Sequence, residues 1–159
     1  MHNFALLLAR LVLGVTMIAH GWQKYAQGGV AGTREGFTQM GIPMPGIAAP
    51  ATIFIEIFGG IAVILGLLLP LVGVAYAVVM AGALALVHLP NGFFAGDGGY
   101  EFVLVLGALA LVLAGTGAGR YSLDHALVGR RRDRKRLRQA QDEDGDRQIL
   151  PVAPSSAKR

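Results

Sequence analysis

Cysteine is absent from the 159 residues, which removes any thiol, disulfide or thiolate-metal chemistry from the chain itself. Redox work involving this chain therefore needs a bound cofactor or a partner. Charge is also scarce, at 15% of residues against 53% hydrophobic. There is no basic stretch ahead of the first apolar run, Arg10 lies within that run, and no clean small-x-small site follows it, so a cleaved signal peptide is not expected. No repeat at a fixed period is visible. What remains is a series of apolar blocks separated by proline and glycine, the pattern of an integral membrane protein.

The net charge of +4 divides unevenly along the chain. Residues 1–119 carry three basic side chains (Arg10, Lys24, Arg34) against four acidic ones (Glu35, Glu56, Asp97, Glu101), a net of −1. Residues 120–159 hold eleven basic and six acidic side chains, a net of +5. The basicity belongs to a juxtamembrane run without interleaved aromatics, which argues against nucleic acid and for anionic lipid at Arg130 to Arg138.

A bilayer core about 30 Å thick takes roughly 20 helical residues. Spans are expected at about 4–22, 47–69, 71–89 and 101–117, with Pro70 as the turn between the second and third. The expected fold class is all-α, an integral membrane four-helix bundle occupying residues 1–128. A basic then acidic tail, 129–159, is expected to be mostly disordered. The Arg130–Arg138 run after the last span places the C-terminus in the cytoplasm by the positive-inside rule, and an even number of spans places the N-terminus there too. The longer connections, Lys24 to Pro45 and Pro90 to Gly99, then lie outside.

Five ionisable residues, Arg10, His20, Glu56, His88 and Glu101, lie inside or at the edges of these spans. A charge near the bilayer centre costs at least about 2.5 to 3.5 kcal/mol, so such residues face a protein interior or a wet cavity and pair with one another. At about 1.5 Å rise per residue, His20 and His88 both fall roughly 24 Å above the inner boundary. Glu56 falls close to the midplane with Arg10 roughly 6 Å deeper, which makes Arg10 to Glu56 the most economical pairing. That pair reads as structural rather than as a proton or anion path. His20 and Lys24 share a helical face at i and i+4, so the outer half collects His20, Lys24, His88 and Glu101 with Glu56 beneath. Phe93 and Phe94 sit in the following loop as a cover over that cluster or as anchors in the interfacial belt.

The ordered landmarks resemble the DoxX-like membrane proteins over about residues 4–128. They are His20-Gly21-x-Gln23-Lys24, Gly41-Ile-Pro43-Met-Pro45, Glu56-Ile-Phe-Gly59-Gly60, His88-Leu-Pro-Asn-Gly-Phe-Phe94, Gly98-Gly-Tyr-Glu101 and Gly119-Arg120-Tyr-Ser-Leu-Asp124. One departure is Thr116-Gly117-Ala118-Gly119, where the family often has Gly-Pro-Gly. The resemblance implies a multi-pass protein of the bacterial plasma membrane, in a group linked to quinone-coupled sulfur or thiol oxidation and to oxidative-stress defence. It implies no settled reaction or catalytic residue.

Two function classes follow. The first is a redox-associated, accessory subunit of a quinone-linked oxidoreductase, with a quinone or similar ligand held by His20, Lys24, Glu56, His88 and Glu101 under Phe93 and Phe94. The second is a non-enzymatic scaffold or small-solute permease. A metal at His20, His88, Glu56 and Glu101 suits zinc or iron chemically, but residues on separate helices predict no geometry. Nothing marks a haem pocket.

Overall fold

Apolar side chains dominate every side of the helices Pro45–Leu65 and Leu69–Ala83, a composition suited to lipid rather than water. The computed structural model describes residues 2–124 and residue 126. Its helices are α1 (His2–Ala26), α2 (Gly29–Gln39), α3 (Pro45–Leu65), α4 (Leu69–Ala83) and α5 (Glu101–Thr116). Beyond α4 the chain runs on without a break through a π-helical turn, Leu84–His88, and a 3-10 turn, Leu89–Asn91; a second 3-10 turn covers Ala95–Asp97. There is no strand among the described residues. The tail expected at 129–159, including Arg130 to Arg138, lies outside them.

Among the described residues, three helices are long and apolar enough to cross a membrane: α1, α3 and the continuous stretch Leu69–Asn91. The fourth apolar helix, α5, is shorter, at 16 residues. Its rise is about 24 Å, short of a typical hydrocarbon core. Large apolar side chains including Phe54, Phe58, Leu71 and Val105 cover the exterior.

Small residues bring the helices together in two close pairs. Between α1 and α3, Gly14 and Gly60 touch backbone to backbone: a Cβ on Gly60 would lie 2.7 Å from the Gly14 carbonyl oxygen. Between α4 and α5, a Cβ on Gly73 would meet the Ala110 carbonyl oxygen at 2.6 Å. The neighbouring Gly59 faces the other way, towards the Tyr76 ring of α4, so the Gly59-Gly60 step serves two partners. Tyr76 is fully buried and donates its hydroxyl to the Glu56 carbonyl at 3.1 Å, linking α4 to α3.

Several of the expected boundaries move. The second span ends at Leu65, not 69, because Gly66 takes the left-handed conformation (φ 70°). Leu67 N–H then bonds the Ala62 carbonyl at 2.8 Å and Gly66 N–H the Val63 carbonyl at 3.1 Å, which is the Schellman arrangement that satisfies the last carbonyls of a helix. Pro70 consequently lies in the first turn of α4 rather than in the connection, where its missing N–H does no harm. The Lys24–Pro45 connection holds the helix α2, which the sequence pattern does not announce.

Candidate functional site

Two polar groups lie at opposite ends of the bundle. At the end where the chain begins and where α3 turns into α4, Arg10 is 1% exposed. Its Nε donates to the Val63 carbonyl at 2.9 Å and its Nη2 to the Ile64 carbonyl at 2.5 Å. Nη1 donates to the carbonyls of Ala118 at 2.8 Å and Tyr121 at 2.7 Å. Val63 and Ile64 belong to the last turn of α3, where the Val63 carbonyl accepts from Arg10 in addition to the Gly66 N–H, and Ala118 and Tyr121 follow α5. Arg10 therefore gathers three stretches of chain by backbone acceptors alone. The same end is closed by Asp124, which accepts the Leu68 N–H at 2.8 Å, and by Asn3, which accepts the Arg120 N–H at 3.2 Å.

The expected pairing of Arg10 with Glu56 is overturned. Glu56, 3% exposed, pairs instead with Lys24, whose Nζ lies 2.8 Å from each carboxylate oxygen. The depth count failed because it lined the two spans up by their ends, whereas the contacts of Gly14 with Gly60 and of Gly21 with Glu56 set the register and place Arg10 level with Gly66 at the end of α3. Glu56 is thereby level with Gly21, whose missing side chain leaves room for it: a Cβ on Gly21 would lie 2.9 Å from the Glu56 Cβ. Lys24, one turn further on, reaches the carboxylate from above, and Gly66 rather than Glu56 is the residue packed on Arg10.

The Lys24–Glu56 pair borders a cavity of about 460 Å³, within the range of small-ligand pockets. Its wall comes from every helix: Met17 and His20 of α1, Thr52 of α3, Val79 and Ala83 of α4, Phe102 and Leu106 of α5, with Phe37 of α2 and Met40 and Ile42 beyond it. His20 and His88 both line it. The His20 ring lies against Phe102 with centroids 5.8 Å apart. His88 arrives by way of the π-helical turn. Closing hydrogen bonds five residues apart instead of four puts His88 one turn above Ala83, where a regular α-helix would have put Val87.

Of the residues singled out in the sequence, His20, Lys24, Glu56 and His88 meet at this cavity. Glu101, Phe93 and Phe94 are not among its lining residues. Glu101 accepts the Ala95 N–H at 2.8 Å and so braces the loop. Phe93 packs edge-on against Phe94 and Tyr100, with centroids 5.4 and 5.5 Å apart, as an aromatic cluster of the loop itself. Cover over the cavity comes from Phe37, Met40 and Ile42, which sequence reasoning missed because the Gly, Thr, Arg and Glu of α2 read as a loop. Among the described residues no three His, Asp or Glu side chains form a metal-holding group.

The DoxX family profile matches residues 5–89. A Bacillus subtilis (strain 168) protein named "Putative oxidoreductase CatD" is 33% identical over 110 residues, covering 69% of this chain and 78% of that protein. The "Inner membrane protein YqjF" of Escherichia coli (strain K12) is 31% identical over 129 residues, covering 80% of this chain and 95% of that one. No solved structure matches. With its apolar helices and this match, the chain belongs to the DoxX family and is a multi-pass bacterial membrane protein.

Proposed function

We propose that the cavity binds a lipid-soluble ligand of the quinone type, and that the protein acts as a membrane subunit beside an oxidoreductase rather than carrying electrons alone. The observation that carries this reading is the buried Lys24–Glu56 pair at the edge of an otherwise apolar cavity shared with His20 and His88. A quinone head is an apolar ring with oxygens at its edges. Such a wall suits the ring, and a few convergent polar groups fix its orientation. Val78 lines the cavity and is also 67% exposed on the outside of α4, a route by which a hydrophobic tail reaches the lipid. The absence of cysteine leaves electron transfer to a bound cofactor or a partner, and the name of the Bacillus relative, an oxidoreductase, supports a redox setting.

The cavity end of the bundle is assigned to the outer face and both termini to the cytoplasm, on the strength of the basic run at Arg130 to Arg138. That run is assigned to anionic lipid of the inner leaflet. Protease added to right-side-out vesicles is expected to spare the tail; cleavage from outside reverses the assignment.

Equilibrium binding of a short-chain benzoquinone and its hydroquinone to the full chain in nanodiscs tests the function. Saturable binding is expected in the parent and none in Gly82→Leu. A Cβ at Gly82 meets no atom within 4 Å and Gly82 lines the cavity, so the larger side chain occupies the ligand's space without a clash at its root. Failure of both forms to bind the parent overturns the reading and leaves the Lys24–Glu56 pair as a lock between α1 and α3.

A further inference from the structure

The hydrogen bond that holds His88 also fixes which of its ring nitrogens is free. Nδ1 lies 2.7 Å from the Gly98 carbonyl oxygen. A carbonyl oxygen only accepts, so Nδ1 carries the hydrogen, and in the neutral ring Nε2 is left with a lone pair. The Gly98 carbonyl is held in place in turn, accepting from Asn91 Nδ2 at 3.3 Å. No donor among the described residues is bonded to Nε2.

The other polar groups of the cavity differ in kind. Both Glu56 oxygens are engaged by Lys24, and the carboxylate is buried beneath it. Lys24, whose side chain is 27% exposed, retains a further N–H after those two bonds. His20 makes a ring contact with Phe102 but has no hydrogen bond that sets its tautomer. A ligand therefore meets a fixed donor at Lys24, a fixed acceptor at His88 and an adaptable group at His20.

We propose that the cavity prefers an aromatic hydroxyl, a hydroquinone or phenol, over the corresponding quinone, with His88 Nε2 accepting the hydrogen bond from the ligand O–H. This inference rests on the reading of the cavity as a quinone-type site. Lys24 does not discriminate, because carbonyl and hydroxyl oxygens both accept. His88 does: a hydroxyl donates to Nε2, whereas a carbonyl sets its lone pairs against that of the ring. His88 is thus a specificity-determining residue, and the Gly98 carbonyl is what gives it that character.

The test compares three ligands on the full chain in nanodiscs under anaerobic conditions: a short-chain benzoquinone, its hydroquinone and the dimethyl ether of that hydroquinone. The hydroquinone is expected to bind about ten-fold more tightly than the quinone, the scale of one hydrogen bond in a closed site. The ether, which keeps the oxygens and loses the donors, is expected to bind no better than the quinone. His88→Phe keeps an aromatic ring and should bring the hydroquinone-to-quinone affinity ratio close to one. Equal affinities in the parent, an ether that binds as tightly as the hydroquinone, or a preference that survives in His88→Phe each overturns the inference. In those cases loss of all binding in Gly82→Leu still upholds the cavity as the site. Should His88→Phe fail to fold, the three ligands on the parent decide the matter. A parent that binds neither quinone nor hydroquinone overturns this inference together with the proposed function.

Discussion

Arg10 and Glu56 are buried almost equally, at 1% and 3% exposed, yet they sit in opposite kinds of surroundings. Arg10 donates four of its five N–H groups to backbone carbonyls at the end where the chain begins. The Glu56 carboxylate has one partner, Lys24, and a cavity beside it. A buried charge bonded only to backbone can do little except hold that backbone. A buried pair at a cavity edge, with one member partly exposed, has a surface to offer a ligand. Burial alone therefore does not mark a functional charge in this bundle; the kind of acceptor and the space next to it do.

The sharpest way to break this contrast is Arg10→Met. It removes the side-chain donor from four carbonyls and is expected to cost about 3 to 5 kcal/mol, with no single second substitution able to restore the loss. Equal thermal stability of parent and variant in nanodiscs would remove the structural role assigned to Arg10. Next comes the ion pair: Lys24→Met orphans a buried carboxylate and should cost about 3 kcal/mol, whereas Lys24→Met combined with Glu56→Gln should return to within about 1 kcal/mol of the parent. A double variant as unstable as the single one would show that Glu56 has some other partner. Smaller again is Asp124→Ala, which frees the Leu68 N–H at the start of α4 and should cost about 1 kcal/mol, read as a lower unfolding midpoint with quinone affinity unchanged. Last is Gly82→Leu, expected to shift stability by less than about 1 kcal/mol while abolishing ligand binding. A large loss of stability there would mean that the cavity wall is packed more closely than the open space at Gly82 indicates.

Much of this arrangement is legible in the sequence, and the failures have physical causes. Ionisable residues in apolar runs stand out, so His20, Lys24, Glu56 and His88 are identifiable before any coordinates. The Gly59-Gly60 step likewise marks close helix approach. Partner choice is harder, because backbone carbonyls leave no side-chain signature: nothing in the letters says that Val63, Ile64, Ala118 and Tyr121 will accept from Arg10. Depth counting also assumes that neighbouring helices line up by their ends, whereas the α1–α3 register is set by where their glycines meet, Gly14 against Gly60 and Gly21 against Glu56. Tyr76 and the residues Phe37, Met40 and Ile42 were overlooked for a related reason, since an apolar or aromatic residue in a membrane chain carries no mark of whether it faces lipid, a neighbouring helix or a cavity.

The π-helical turn at Leu84–His88 has a consequence for chain length. Such a turn houses one residue more than the α-helix it interrupts. If one residue between Ala83 and His88 were deleted, the histidine would stand four positions after Ala83, one turn above it on an unbroken α-helix, where the wide turn already holds it. A single-residue deletion in this stretch is therefore expected to leave the histidine at the cavity. A deletion of the same size after His88 would instead shorten the loop that brings the Gly98 carbonyl to the ring.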